Sequence, residues 1–174
     1  MGKRTPPETS ELEFDSLMLL AVDVGNTNVT LALFEGEKLV ADWRVTSHRE
    51  RTADEMAVEL RQLFELRGFE IGVVDGVVIS SVVPTVNTAL VEASRRYLKC
   101  EPLMVGPGVK TSVRIRYDNP KDVGADRIAN ALAAYSRYGG PVVVIDFGTA
   151  VTYDAINADG DYLGGAIAPG EHRP

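Results

Sequence analysis

The sequence reads as an α/β protein built from two related lobes, and two observations carry that reading. An acidic glycine turn occurs twice, each time at the end of an apolar run. The first copy is Leu19-Leu20-Ala21-Val22-Asp23-Val24-Gly25-Asn26-Thr27, and the second is Val142-Val143-Val144-Ile145-Asp146-Phe147-Gly148-Thr149. A further threonine follows three residues after each turn threonine, at Thr30 and Thr152. Each copy then reaches a hairpin signal, Glu35-Gly36-Glu37 in the first and Ala158-Asp159-Gly160-Asp161 in the second. A duplicated turn of this kind can hold a nucleotide's phosphates between two lobes, because glycine lets the backbone N–H groups approach an anion.

The first lobe opens with strands over residues 18–24, 28–34 and 39–45, the last after the Glu35-Gly36-Glu37 turn. Thr52-Ala53-Asp54-Glu55 is a capping box that starts a helix. Met56, Leu60, Leu63 and Phe64 recur there at helical spacing, and Gly68 ends it. Burying those four side chains contributes roughly 6–12 kcal/mol. Residues 75–83 contain a continuous apolar run, the pattern of a strand buried on both faces. Pro84 begins a second helix with Val86, Leu90, Ala93 and Tyr97 on one side, and residues 103–105 form a short strand. After the Gly106-Pro107-Gly108 loop and the polar stretch 111–123, a third helix runs to Tyr138, with Ile128, Leu132 and Tyr135 toward the core. Gly139-Gly140-Pro141 breaks it, and the second lobe's three strands follow to about residue 168.

The expected organisation is therefore an extension over residues 1–17, a complete first lobe over 18–115 and a partial second lobe over 116–174, truncated after its third strand. The second unit has no counterpart of the first unit's covering helices, and Glu171-His172-Arg173-Pro174 has no apolar pattern to replace them. Residues 1–17 carry Lys3, Arg4, Pro6, Pro7 and several acids without an apolar stretch; they read as disordered and not as a signal peptide, with Met18 as an alternative start.

The 174 residues suit one ordinary domain or two small ones, and an apolar content of 45% suits a globular core. A net charge of −7 argues against nucleic acid or an anionic membrane as partner, since both are met by clustered Lys and Arg. No stretch approaches the roughly 20 apolar residues of a membrane span, and the expected location is the cytoplasm. Cys100 is the only cysteine, so neither an intrachain disulfide nor a cysteine-rich metal site can form.

Three constellations carry chemistry. In the first turn Gly25 admits a phosphate, Asn26 and Thr27 add neutral donors, and Asp23 can hold a hydrated metal ion. In the second, Asp146, Gly148 and Thr149 face the other side of a nucleotide. No Gly-Lys-Ser/Thr follows either turn, so this is not a P-loop, and backbone and hydroxyl donors carry more of the binding. The third constellation is Tyr117-Asp118-Asn119-Pro120-Lys121-Asp122-Val123-Gly124-Ala125-Asp126-Arg127. Arg127 can hold a carboxylate or phosphate in a fork. Two roles fit Asp126: acceptor of a hydroxyl proton, or an acid stabilising its own helix N-terminus. His48 sits in a polar loop and reads as solvated, His172 receives no role, and Trp43 reads as packing on the third strand.

At these residues the sequence resembles a type III pantothenate kinase. Asp23-Val24-Gly25-Asn26-Thr27, Gly124-Ala125-Asp126-Arg127 and Asp146-Phe147-Gly148-Thr149-Ala150 fall in that family's order, and Gly164-Gly165-Ala166-Ile167-Ala168-Pro169-Gly170 is similar to a further stretch of it. The resemblance implies an actin-like, ribonuclease-H-like duplicated α/β fold of the ASKHA superfamily. It also implies transfer of the ATP γ-phosphate to pantothenate, the first step of coenzyme A synthesis. It assigns ATP contacts to Asp23, Val24, Gly25, Asn26, Thr27, Asn28, Val29, Thr30 and Thr149, with Asp126 as proton acceptor. Pantothenate falls to Tyr117, Gly124, Ala125, Asp126 and Arg127, with Mg2+ accompanying ATP. Asp146 is implied to bind a monovalent cation (K+ or NH4+), and a complete chain is implied to form a homodimer. Two other readings stay open from sequence: a Baf-type transcriptional regulator of the same ancestry, and another small-molecule kinase of the superfamily.

Overall fold

The computed structural model describes residues 17–106, 108–111, 113–117 and 119–170. Residues 1–16, which make up nearly all of the expected extension, lie outside the described residues, as do Pro107, Asp118, His172 and the rest of 171–174.

Strands β1 (Met18–Val24), β2 (Asn28–Glu35) and β3 (Lys38–Thr46) form an antiparallel meander. β4 (Gly76–Ser81) then joins β1 in parallel, and β5 (Leu103–Met104) joins β4, giving the order β3-β2-β1-β4-β5. Side chains alternate across this sheet. Leu20, Val22, Val24, Leu31, Leu33, Ala41, Trp43, Val77 and Ile79 are buried on one face, beneath α1 (Ala53–Leu66) and α2 (Pro84–Ala93). α1 starts where the capping box requires: Glu55 N–H donates to Thr52 Oγ1 at 3.3 Å and Thr52 N–H donates to Glu55 Oε2 at 2.8 Å. Met56, Leu60 and Phe64 are buried, whereas Leu63 is only partly so. Phe64 stacks on Trp43 with ring centroids 4.9 Å apart, which fixes the helix over β3.

Two expectations are corrected here. Tyr97 was placed on the buried side of the second helix, but α2 gives way to a wide π turn over Ser94–Leu98. The extra residue in that turn rotates Leu98 into the core and leaves Tyr97 39% exposed, donating its hydroxyl to Asp54. β4 is also less enclosed than its apolar run suggests: Val77 and Ile79 are buried, but Val78 on the opposite face is only half-buried.

A second sheet pairs β6 (Val142–Phe147), β7 (Ala150–Ile156) and β8 (Tyr162–Pro169) antiparallel in that order. α3 (Ala125–Tyr138) covers one face, burying Ile128 and Ala131 against Ile156 and Tyr162. The same helix also touches β4, so it joins the two sheets. Val113 and Ile115 belong to this second core, and Ile115 makes a parallel bridge to Tyr162. Among the described residues, no helix is long and apolar enough to cross a membrane.

The duplication is visible in register. Asp23 pairs with Thr30 across β1–β2, and Asp146 pairs with Thr152 across β6–β7. The connecting turns differ by one residue, since Val24 pairs with Val29 but Phe147 pairs with Val151.

Candidate active site

Both turns open into one cleft of about 490 Å3 between the sheets. In the first, Gly25 N–H donates to Asn28 O at 2.9 Å, and a Cβ on Gly25 would stand 3.2 Å from that same oxygen, so the tight bend favours glycine. Arg49 Nη2 donates to Asn26 Oδ1 at 3.1 Å and steadies the tip. In the second, Gly148 N–H donates to Ala150 O at 3.0 Å. The tips meet across the cleft, where the Thr27 and Thr149 hydroxyls are 2.9 Å apart.

Of the residues singled out in the sequence, Asp23, Val24, Gly25, Asn26, Thr27, Asn28, Thr30, Gly124, Asp126, Arg127, Asp146 and Thr149 line this cleft. Val29 does not; it packs against the first core. Ala125 is buried at the start of α3, and Tyr117 stands outside the cleft wall, 43% exposed and against Gly164 of β8. Asp118 lies outside the described residues.

The approach of α3 brings its N-terminus to the two turns. Gly124 is its N-cap, and a Cβ there would collide with Asp126 Oδ1; glycine leaves room for that carboxylate to fold back. Asp126 Oδ1 accepts from Arg127 N–H at 2.8 Å, so the structural role foreseen for this acid is present. Its position on the cleft wall is compatible with the chemical role as well. Asp146 Oδ2 accepts from Asn130 Nδ2 of α3 at 3.1 Å.

Asp23 lines the cleft with a solvent-exposed side chain, although the surrounding protein still partly desolvates its carboxyl. Burial raises its carboxyl above the ordinary value of 3.8, and the nearby Asp126 and Asp146 charges push in the same direction. The Ser80 hydroxyl, its neighbour across β1–β4, offsets part of this, although it makes no hydrogen bond of ordinary geometry. Asp23, Asp126 and Asp146 on this cleft supply hard oxygen donors of the type Mg2+ and K+ accept, and a cation would relieve the repulsion that Asp126 and Asp146 exert on Asp23. Among the described residues, no group of three or more His, Cys, Asp or Glu is arranged to hold a metal ion. A cation held beside these carboxylates would have to take phosphate oxygens or water as well.

Arg44 lines the cleft without having been foreseen, and so do Asp122, Thr152 and Ile167, which lie inside the stretches singled out from the sequence but received no role. Arg44 is explained by register: Ser80, Asp23, Thr30 and Arg44 form one cross-strand row over β4, β1, β2 and β3. Thr152 is the counterpart of Thr30, Asp122 belongs to the stretch that leads into Arg127, and Ile167 belongs to the Gly164–Gly170 stretch. Trp43 is buried in the first core, as read from the sequence, and His48 is exposed.

Residues 19–173 match the type III pantothenate kinase family. Proteins named type III pantothenate kinase are 55% identical in Moorella thermoacetica, 53% in Myxococcus xanthus and 50% in Geobacter sulfurreducens, each over 153 residues covering 88% of this chain. The chain spans about 60% of the length of these curated relatives. Among solved structures, the ethanolamine utilization protein EutJ of Carboxydothermus hydrogenoformans superposes with TM-score 0.52 at 14% identity, over 95% of this chain and 53% of that one. A Baf family transcriptional activator from Campylobacter jejuni superposes with TM-score 0.50 at 22% identity, over 87% of this chain and 54% of that one. At these identities the likenesses speak to the fold, which is the α/β, actin-like class expected from the sequence. With the ordered motifs gathered on one cleft and half or more of the aligned residues identical to those of these relatives, the chain belongs to the type III pantothenate kinase family.

Proposed function

We propose that this chain carries the cleft of a kinase that transfers the γ-phosphoryl group of ATP to the primary hydroxyl of pantothenate, the first step of coenzyme A synthesis. The observation that carries this reading is the meeting of the two turns, with Thr27 and Thr149 in hydroxyl contact and Asp126 on the same cleft wall. Asp23 to Thr30 and Thr149 would hold the phosphates through backbone N–H groups and hydroxyls. Tyr117, Gly124, Ala125 and Arg127 would seat pantothenate, with Arg127 paired to its carboxylate. Asp126 would take the hydroxyl proton as that oxygen bonds to the γ-phosphorus and the bond to the β-phosphate oxygen breaks, releasing ADP. Asp23 would hold Mg2+ and Asp146 a monovalent cation; when bound, these ions neutralise the charge spread over the transferring group. The two sheets are read as two lobes divided near residue 116, in a cytoplasmic enzyme that works as a homodimer.

The test is ATP- and potassium-dependent phosphorylation of pantothenate, followed as ADP release. Replacing Asp126 with asparagine is expected to lower turnover by about 10²–10⁴-fold while leaving the fold intact. Undiminished turnover in Asp126→Asn would remove the proposed proton acceptor. Phosphorylation of sugars or other hydroxy acids in preference to pantothenate would reassign the substrate.

A further inference from the structure

Asp154 on β7 lies behind the cleft wall, fully buried. Its carboxylate collects donors from three sides: Arg127 Nε at 2.6 Å and the Tyr162 hydroxyl at 2.7 Å reach Oδ1, and the Thr152 hydroxyl lies 3.4 Å from Oδ2. Arg127 Nη2 is also 2.6 Å from Oδ1, and the guanidinium lies 5.8 Å from the centroid of the Tyr162 ring. Both the burial and the Asp154 carboxylate raise the Tyr162 hydroxyl's pKa, so it remains a donor at every relevant pH. A buried carboxylate is tolerable only when paired, so Asp154 and the guanidinium fix one another.

β8 is shaped to the same end. A Cβ on Gly165 would stand 2.5 Å from Arg127 Nη2 and would also strike the Tyr153 carbonyl. Gly164, at φ +125°, would press a Cβ to 3.1 Å from the Tyr117 ring. Arg127 and Tyr117, the two long side chains assigned to pantothenate, thus rest on adjacent glycines of one strand. Arg127 nevertheless lines the cleft, and its side chain keeps 13% exposure while Nε and Nη2 face Asp154.

We infer that Asp154, backed by Tyr162, is a positioning residue that presets the Arg127 guanidinium for the carboxylate of pantothenate. The inference rests on the substrate reading above. A guanidinium already fixed in one plane loses less freedom on meeting a planar carboxylate, so affinity for the acid depends on Asp154 although Asp154 does not touch it. Nucleotide binding, built on the two turns, does not share this dependence.

The experiment uses the whole 174-residue chain and its Asp154→Asn and Tyr162→Phe variants. Pantothenate and a non-hydrolysable ATP analogue are titrated calorimetrically, and the Arg127 Nε–H resonance is followed by NMR. Asp154→Asn is expected to weaken pantothenate about ten- to a hundredfold, the scale of one charge-assisted hydrogen bond. Nucleotide affinity should hold within about twofold, and the Arg127 signal should lose its protection. Tyr162→Phe should move pantothenate affinity in the same direction by less. Unchanged pantothenate affinity in both variants, or an equal loss for both ligands, would overturn the inference. A chain that binds nucleotide but no pantothenate before any substitution removes the substrate reading and the ligand named here. An Arg127 Nε–H equally protected with and without Asp154 overturns the positioning itself.

Discussion

The two meanders of this protein share a register and differ in what covers them. Asp23 faces Thr30 and Asp146 faces Thr152 in equivalent cross-strand pairs, and both turns reach the same cleft. Yet the first sheet lies under α1 and α2, with Leu20, Val24, Leu33 and Ile79 almost wholly excluded from solvent. The second sheet has α3 on one face only. On its other face Val143, Ile145 and Phe147 stand in a row, with Phe147 78% exposed among the described residues. The ligand-facing chemistry of the repeat resides in turns and register, and its stability resides in the layers behind. The repeat has kept the first in both copies, while the described second copy shows much less of the second.

Truncating one phenylalanine beside each sheet tests that separation most severely. Phe64 is fully buried and stacked on Trp43, so Phe64→Ala is expected to cost about 3–5 kcal/mol in urea denaturation. Phe147→Ala removes the same side chain from an exposed face and should fall within about 0.5 kcal/mol of the parent. A large cost at Phe147 would mean that the outer face of β6–β8 is covered in solution, and the contrast between the two sheets would collapse.

How much of this was legible in the sequence follows the same division. The capping box at Thr52, the meander strands and both acidic turns are local signals, carried by residues within a few positions of one another. The cleft row Ser80–Asp23–Thr30–Arg44 was not legible beyond its first turn, because it depends on which strand lies beside which and in what register. The β2–β3 pairing shifts between Leu33 and Phe34, and no residue type announces that shift. Tyr97 misled for a related reason: the π turn at Ser94–Leu98 breaks helical periodicity without a proline or glycine inside it. Asp154 received no role from the sequence, since its importance arises only from contact with Arg127, a residue 27 positions earlier.

Gly124→Ala sharpens the comparison at the point where α3 brings its acid to both turns. The added methyl meets Asp126 Oδ1, the end of a side chain that can swing aside, and the glycine's own φ of −59° suits alanine. The helix should therefore lose under about 1 kcal/mol of stability in thermal or urea denaturation. Turnover should fall by roughly ten- to a hundredfold, as expected when a reacting group is displaced by about 1 Å. A stability loss without an effect on phosphoryl transfer would leave Asp126 only its hydrogen bond from the Arg127 N–H at the helix start.

The smallest expected effect is the most direct on the cleft's electrostatics. Asp23 has a raised carboxyl, first because of burial and then because Asp126 and Asp146 lie near. A carboxyl raised in the fold binds its proton more tightly folded than unfolded. The contribution of Asp23 to stability is therefore fully present below the unfolded value, near 3.8, and is lost as pH rises through the folded value. Asp23→Asn removes that penalty. The variant should melt above the parent at pH 7, and the difference should close as pH falls toward 3.8. Because the penalty is partly repulsion among three carboxylates, added Mg2+ or K+ should raise the parent's melting temperature more than the variant's. A variant that melts lower than the parent at pH 7 would show the Asp23–Ser80 contact to outweigh burial and repulsion. In that case the first turn, like the sheet behind it, would be tuned for stability, and the division between chemistry in the turns and stability in the layers would fail at its best-defined residue.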